Sequence, residues 1–216
     1  MVPASFATFF MADPITTETQ ICNLALDILG SSAIGDINSA DSEDARRCKR
    51  WFGQCRDRVL KQGYWEFAMK RATLTLDAAA PSFEYDYSFT VPADYLRIRR
   101  VHAYPKAKPS NDYRIEAGHL LIDTETAEIL YVFRQETVSE YTPEFISALT
   151  LLLASELARK AAGSHELRER LMADYNAVLS EAATIDAQDE RTEDRGIEGA
   201  IADSRLVMRR RTSELG

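Results

Sequence analysis

The residue types that most often carry acid–base or metal chemistry are scattered through this chain rather than grouped in motifs. Three histidines are present, at His102, His119 and His165. They fall on a predicted strand, a hairpin and a helix start, without the spacing of metal ligands. The carboxylates Asp123, Glu125 and Glu128 could face a divalent cation, but they lack the Asp-x-Asp-x-Asp-Gly pattern and closing Glu of a calcium loop. We expect a solvated hairpin there.

Motifs that would define an enzyme are absent from the sequence. No glycine-rich phosphate loop, His-Glu-x-x-His, Cys-x-x-Cys or Gly-x-Ser-x-Gly occurs. Cys48 and Cys55 lie on one predicted helix face, about 10 Å apart at a rise of about 1.5 Å per residue, too far for a disulfide. With Cys22 they are predicted to be small buried hydrophobes. The sequence favours a non-enzymatic protein without a cofactor or metal.

Basic residues are concentrated in one predicted strand, at Arg97, Arg99 and Arg100. Strand alternation places Arg97 and Arg99 on one face and Arg100 on the other. One interpretation is a charged solvent face, or a sheet edge protected against aggregation. The other is an inter-subunit patch that meets acidic surface on a neighbour, or a lining near passing DNA.

Charge is uneven at the C-terminal end. The net charge of −8 argues against a protein that coats duplex DNA. Residues 189–204 contain six acidic side chains and two arginines, whereas residues 205–216 contain four arginines and one glutamate. Spaced apolar residues lie in the same segment, at Ile197, Ile201, Leu206 and Val207. This composition suits a segment that orders on a partner, and an unstructured terminus is the alternative.

Four amphipathic helices are predicted. The first begins at Thr17, whose spacing to Gln20 is that of a capping box, and ends at Gly30. Its apolar residues are Ile21, Leu24, Ala25 and Ile28. The second buries Ala45, Cys48, Phe52, Cys55 and Val59. Thr142 and Pro143 start the third helix, and Ser164 is a candidate cap for the fourth.

Strand patterns lie between the second and third helices. Aromatic and polar residues alternate strictly from Phe83 to Val91, which predicts a half-buried strand that Pro92 ends. Ala117 and Gly118 predict a hairpin turn. The other predicted strands cover residues 96–104, 113–116, 119–122 and 128–134.

These elements predict an α+β fold that is mainly α. We expect a four-helix bundle formed by residues 16–63 and 142–188, with a small antiparallel β-sheet from residues 64–141 inserted between helices two and three. An extended leader over residues 1–15, either unstructured or clamped by a neighbour, and an extended C-terminal tail over residues 189–216 complete the chain. No apolar run approaches the roughly 20 residues of a membrane helix, and a signal peptide is not evident, so we expect a soluble, unexported protein.

An ordered set of short segments carries a resemblance to a viral family. The segments are Ile21–Leu26, Asp44–Cys48, Arg56–Leu60, Trp65–Ala68 and Tyr85–Arg97. Together they resemble the head-to-tail adaptor family of tailed phages, also called tail tubular protein A. Val91-Pro92-Ala93-Asp94 is similar to the family's Leu/Val-Pro-x-Asp turn. The likeness extends from about Thr16 to Ala187 and becomes weaker at both ends.

The resemblance implies a structural virion protein. Such adaptors form a ring, a dodecamer in this family, between the portal protein and the tail or nozzle protein. DNA passes through the channel without sequence readout. The expected location is the neck or tail of the virion, and the host cytoplasm during assembly. In the family the C-terminal segment reaches the portal, so residues 197–211 become the candidate docking element, with Arg209, Arg210 and Arg211 beside the four apolar residues.

A different class of function also fits the basic end of the chain. A small DNA-binding or DNA-packaging accessory protein could grip phosphates with Arg205, Arg209, Arg210 and Arg211. The net negative charge weighs against this alternative. An uncharacterised enzyme would require a turnover that no feature of the sequence predicts.

Overall fold

The described part of the chain contains four α-helices. A computed structural model of the chain describes residues 14–39, 41–103, 113–158 and 165–182. The helices are α1 (Glu18–Ile28), α2 (Glu43–Gln62) and α3 (Pro143–Leu157), and residues 165–182 form a further helix, α4. Single 3-10 turns occur at Glu66–Ala68 and Val138–Glu140. Of the predicted leader only Pro14 and Ile15 are described, and the predicted tail lies outside the described residues.

The helix starts follow the local sequence. At α1 the side chains of Thr17 and Gln20 form the predicted capping box, in which Gln20 N donates to Thr17 Oγ1 at 3.2 Å. Ser42 and Thr142 cap α2 and α3 in the same way. Gly30 adopts a φ of 67°, so it takes the left-handed conformation that was predicted for the end of α1.

In the described part of the chain, seven strands follow α2 and form two antiparallel sheets. The strands are β1 (Met69–Thr73), β2 (Thr75–Leu76), β3 (Tyr87–Thr90), β4 (Tyr95–Ala103), β5 (Arg114–Glu116), β6 (His119–Ile122) and β7 (Ala127–Phe133). One sheet has the order β1-β7-β4 and the other β2-β3-β6-β5. The predicted hairpin at Ala117 and Gly118 is confirmed, since both residues have positive φ.

The predicted fold class is wrong. Instead of a mainly α bundle with one small inserted sheet, the described residues form a mixed α/β fold with two sheets. The prediction did not include β1 and β2 among its strands, although Ala72–Leu76 alternates apolar and polar residues. It also missed that Leu96 and Val132, from two strands, are buried in the same core as the helices. The three-stranded sheet is therefore part of the helix core rather than an appendage.

The predicted aromatic strand is also shorter than expected. β3 starts at Tyr87, because Glu84 has a φ of 75° and interrupts the extended backbone. Phe83 is 79% exposed, although alternation had placed it on the same face as the buried Phe89. A period-two pattern specifies a strand only as far as the backbone stays extended.

Aromatic rings join the helices to the first sheet. The indole of Trp65 meets Phe145 of α3 edge to face at 5.2 Å between centroids, and Phe67 contacts Phe145 at the same distance. Tyr141 lies 4.6 Å from Phe145. Trp65 Nε1 donates to Val59 O at 2.9 Å, which satisfies a buried polar atom at the end of α2. This aromatic joint fixes where α2 ends and where the sheet begins.

Gly63 has no room for a side chain at the aromatic joint. A Cβ there would overlap the indole of Trp65, whereas a Cβ on Gly53, inside α2, would meet nothing within 4 Å. We expect Gly63→Ala to lower the free energy of unfolding by about 1–3 kcal/mol through overpacking. Gly53→Ala should raise it by about 0.5–1 kcal/mol, because alanine loses less backbone entropy in a helix. Urea denaturation measures both, and equal effects would contradict the close packing.

Candidate functional site

Two of the predicted basic residues bind the C-terminal end of α2. Arg97 donates to Lys61 O at 2.9 Å, and the Arg99 guanidinium donates to Gly63 O. Arg99 also lies over the ring of Tyr64, with 5.4 Å between Cζ and the centroid. The last carbonyls of a helix have no intrahelical partner and carry partial negative charge. Arg97 and Arg99 therefore hold the end of α2 against β4.

Arg100 lies apart from this contact. The register of β4 against β7 shifts between Ile98 and Arg100, which is the signature of a β-bulge. Arg100 is exposed, as is Arg97, whereas Arg99 is half-buried. The structure thus gives Arg97 and Arg99 roles within the chain. An inter-subunit or lumen role for the three arginines stays a prediction.

A second polar cluster lies on the four-stranded sheet around Asp77. Its carboxylate accepts hydrogen bonds from Ser88 Oγ at 2.5 Å and Thr90 Oγ1 at 2.7 Å, and His119 Nδ1 lies 2.7 Å away. Asp77 N also donates to Ser88 O at 2.8 Å. Asp77 directly follows β2, and its three side-chain partners come from β3 and β6. The cluster therefore ties three strands together.

The geometry of this cluster does not match a catalytic triad. Ser88 and His119 both bond the same oxygen of Asp77, and no hydrogen bond joins the serine hydroxyl to the imidazole that would have to act as its base. Hydrogen bonds from Ser88, Thr90 and His119 hold the pKa of Asp77 below its usual value. Burial of the carboxylate acts in the opposite direction but is outweighed. The arrangement stabilises an ionised carboxylate rather than activating a nucleophile.

An open cavity of about 730 Å³ lies beside the Asp77 cluster, between residues 77–85 and the edge strand β5. Arg114 lies 3.6 Å from Glu84 and 3.7 Å from Glu116, and all three side chains are more than half exposed. Asp77 adds a third carboxylate to the lining. One arginine does not balance three carboxylates, so the described lining of the cavity keeps a net negative charge.

The Val-Pro-x-Asp turn of the resemblance clamps the three-stranded sheet. Asp94 accepts hydrogen bonds from Lys70 Nζ at 2.7 Å and from the Tyr131 hydroxyl at 3.1 Å. Burial alone would raise the pKa of Asp94, but these hydrogen bonds outweigh it and lower the pKa. Burial and the hydrogen bond to Asp94 raise the pKa of Tyr131 to about 12. The turn thus connects β1, β4 and β7.

Ion pairs connect α2 to the segment after β7. Asp57 accepts from Arg56 Nε at 3.0 Å and from Arg134 Nε at 2.9 Å, while Arg56 also lies 3.4 Å from Glu136. Arg56 is only 8% exposed. A buried guanidinium is tolerated only when it is paired, so this network is a constraint on the helix–sheet arrangement.

The cysteines match their prediction as buried residues, since Cys22, Cys48 and Cys55 are free and buried. The hydrogen bond with Cys48 and burial raise the pKa of the Cys22 thiol. Burial raises the pKa of Cys55 to about 12. Because the thiolate is the nucleophile, Cys22 and Cys55 are held in their unreactive form at neutral pH.

Sequence reasoning missed the Asp77 cluster and located only one of its members. His119 was assigned to a hairpin, where it lies, but Asp77, Ser88 and Thr90 were not selected. Ser88 and Thr90 stand two apart on one strand, and Thr90 is opposite His119 in the register. The closeness of Thr90 to His119 could be recognised only after the pairing of the two strands was known. His102 is exposed on β4, and His165 lies 3.4 Å from Glu169 on α4.

The candidate docking element falls outside the described residues. Ile197, Ile201, Leu206 and Val207, together with Arg205 and Arg209–Arg211, belong to this part of the chain. Among the residues that the structure does describe, no group of three His, Cys, Asp or Glu could hold a metal ion. None of the helices in the described part of the chain combines the length and apolar character needed to cross a membrane.

Comparisons with known proteins add no assignment. The chain matches no protein-family model, and a search of curated proteins gave no match. Any function of the chain is therefore inferred from the residues themselves and from the resemblance that they carry.

The contact of Arg99 with the α2 terminus predicts unequal effects along one strand. We expect Arg99→Ala to lower the free energy of unfolding by about 1–2 kcal/mol, because it removes a charge-assisted hydrogen bond and the contact with Tyr64. The neighbouring variant Arg100→Ala should change it by less than about 0.5 kcal/mol. Chemical denaturation of both proteins provides the comparison. Equal losses would argue against the capping role.

The Asp77 cluster predicts a pH-dependent contribution to stability. Because the pKa of Asp77 is lowered on folding, its contribution is present above the unfolded value of about 3.9 and is lost as the pH falls through the lower folded value. Asp77→Asn should cost about 1 kcal/mol at pH 7 and less near pH 3. Unfolding curves at both pH values test this, with the exposed Asp174→Asn as the control. A cost independent of pH would contradict the assignment.

Proposed function

We propose that this protein is a subunit of a head-to-tail adaptor ring in a tailed phage or a related particle. The observation that carries the proposal is the ordered set of segments from Ile21 to Arg97 that resembles the adaptor family. An ordered series over this length is more specific than any one of its parts. The proposed role is structural, without catalysis or a cofactor.

The local structure of these segments supports the proposal. Cys22 and Cys48 bring the first two segments into contact in the helix core. Trp65 forms the aromatic joint, and Asp94 clamps the three-stranded sheet. Each part of the resemblance thus has a defined packing role, as expected when the likeness reflects a shared architecture and not chance composition.

The second support is that no arrangement of an activated nucleophile is found among the described residues. Asp77 and its neighbours bond one another in a way that gives no activated nucleophile, and the pKa of the Cys22 and Cys55 thiols is raised. We place the docking to the portal in residues 197–211 and the contact with the tail or nozzle protein on the folded body.

The proposed mechanism is geometric. Copies of the chain pack side by side around a channel, in a ring that is dodecameric by resemblance to the family. In a closed ring each subunit uses two different surfaces, one toward each neighbour. The net charge of −8 suits a channel protein, because repulsion limits adhesion of the phosphate backbone to its walls. The ring would act in the neck of the virion after assembly in the host cytoplasm.

The proposal predicts portal-dependent assembly. Mass photometry of the pure protein, alone and with the portal protein encoded in the same genome, should give a complex that contains about twelve copies only when the portal is present. A variant with Ile197, Ile201, Leu206 and Val207 changed to Ser should lose this complex and keep its circular dichroism spectrum. No complex between the unchanged protein and the portal would contradict the proposal.

A matched variant separates the adaptor from the DNA-binding alternative. Changing Arg205, Arg209, Arg210 and Arg211 to Ala removes the basic cluster but leaves the apolar residues in place. If the unchanged protein binds duplex DNA in a salt-dependent way without the portal, and this variant does not, the accessory-protein alternative is favoured. For an adaptor we expect no retention of duplex DNA at about 0.15 M salt by either protein.

A further inference from the structure

An apolar groove runs between α1 and α3. Its volume is about 800 Å³, and its walls include Leu24 and Ile28 from α1 and Ile146 and Leu151 from α3. Pro14 and Ile15 line the same groove. The first two described residues of the chain therefore lie at the groove.

The walls of the groove are more exposed than their positions in the sequence suggest. Leu24 and Ile28 belong to the apolar stripe that was predicted to be buried, yet they are 39% and 42% exposed. They are two of four large hydrophobic residues found exposed in the described part of the chain, the others being Leu76 and Phe83. Adjacent exposed apolar residues in a concave surface are typical of a site that another segment covers.

The sequence that precedes Pro14 has the matching chemistry. Residues 1–12 carry no charged side chain, and residues 6–11 contain Phe6, Phe9, Phe10 and Met11. At about 3.3–3.6 Å per extended residue, Phe10 can reach as far as about 14 Å from Pro14. Pro14 lines the same groove as Leu24 and Ile28, which lie one helix turn, about 6 Å, apart.

We propose that residues 6–11 of the same chain occupy this groove. The aromatic side chains of the segment cover Leu24, Ile28 and Ile146. The covalent connection through Pro14 favours this occupant over any free partner, because a short tether gives an effective concentration in the millimolar range. The segment acts as an intramolecular strap that completes the helix core. This inference does not depend on the adaptor proposal.

A double-mutant cycle in the full-length chain tests the strap. The leader variant changes Phe9 and Phe10 to Ser, and the groove variant is Ile28→Glu. Each should lower Tm by about 3–6 °C, because each removes apolar burial at the same contact. The two together should lower Tm by little more than one alone, because the contact can be lost only once. Binding of the dye ANS should increase in the leader variant.

The control replaces an exposed hydrophobic residue that does not line the groove. Leu76 is 48% exposed on β2, so Leu76→Glu makes the same type of change at a similar exposure. Its effect on Tm should add fully to that of the leader variant. If Ile28→Glu is additive in the same way, and ANS binding is unchanged, the strap is ruled out.

Concentration dependence separates the strap from a second copy of the chain. Docking within one chain predicts that the coupling between Phe9/Phe10 and Ile28 is the same over a hundredfold range of protein concentration, with a monomer mass in sedimentation experiments. A coupling that appears only at high concentration, together with a dimer that the leader variant loses, would overturn the intramolecular assignment.

Discussion

The contact between Gly63 and the indole of Trp65 is the constraint on which the rest of the structure depends. It requires α2 to stop at Gln62, and it places Trp65 and Phe67 against Phe145 of α3. β1 begins four residues after Trp65 and pairs with β7, so the position of the first sheet is set by this aromatic joint. Helices and sheet therefore share one core, to which Leu96 and Val132 contribute from the strands.

Charged side chains reinforce the same joint. Arg97 and Arg99 donate to carbonyls at the end of α2, and Asp57 accepts from Arg134 beyond β7. Arg97 and Arg99, which the sequence offered as a contact surface for a partner, thus bind within the chain. Helix carbonyls that lack intrahelical partners attract guanidinium groups. Rigid coupling of helices to sheets suits the proposed adaptor, whose subunits must transmit contacts from portal to tail without changing shape.

The proposed functions involve two kinds of segment, namely the folded body and the segments outside the described residues. The folded body supplies packing and hydrogen-bonded clusters, among them the Asp77 cluster, whose geometry serves strand association. The proposed contact with another molecule involves residues 197–211. The proposed contact within the chain involves residues 6–11. Both segments are rich in spaced apolar residues, which is the composition expected where order depends on a second surface.

The sequence by itself determined the local elements. Caps at Thr17 and Thr142, the left-handed Gly30, the hairpin at Ala117 and Gly118 and five of the seven described strands could be read from residue type and spacing, because each depends on near neighbours. Only the tertiary structure decided that the strands form two sheets in a mixed α/β fold, that Arg99 caps a helix, and that Asp77 meets Ser88 and His119. These features depend on strand pairing and core sharing between residues far apart in sequence, which period and propensity do not encode.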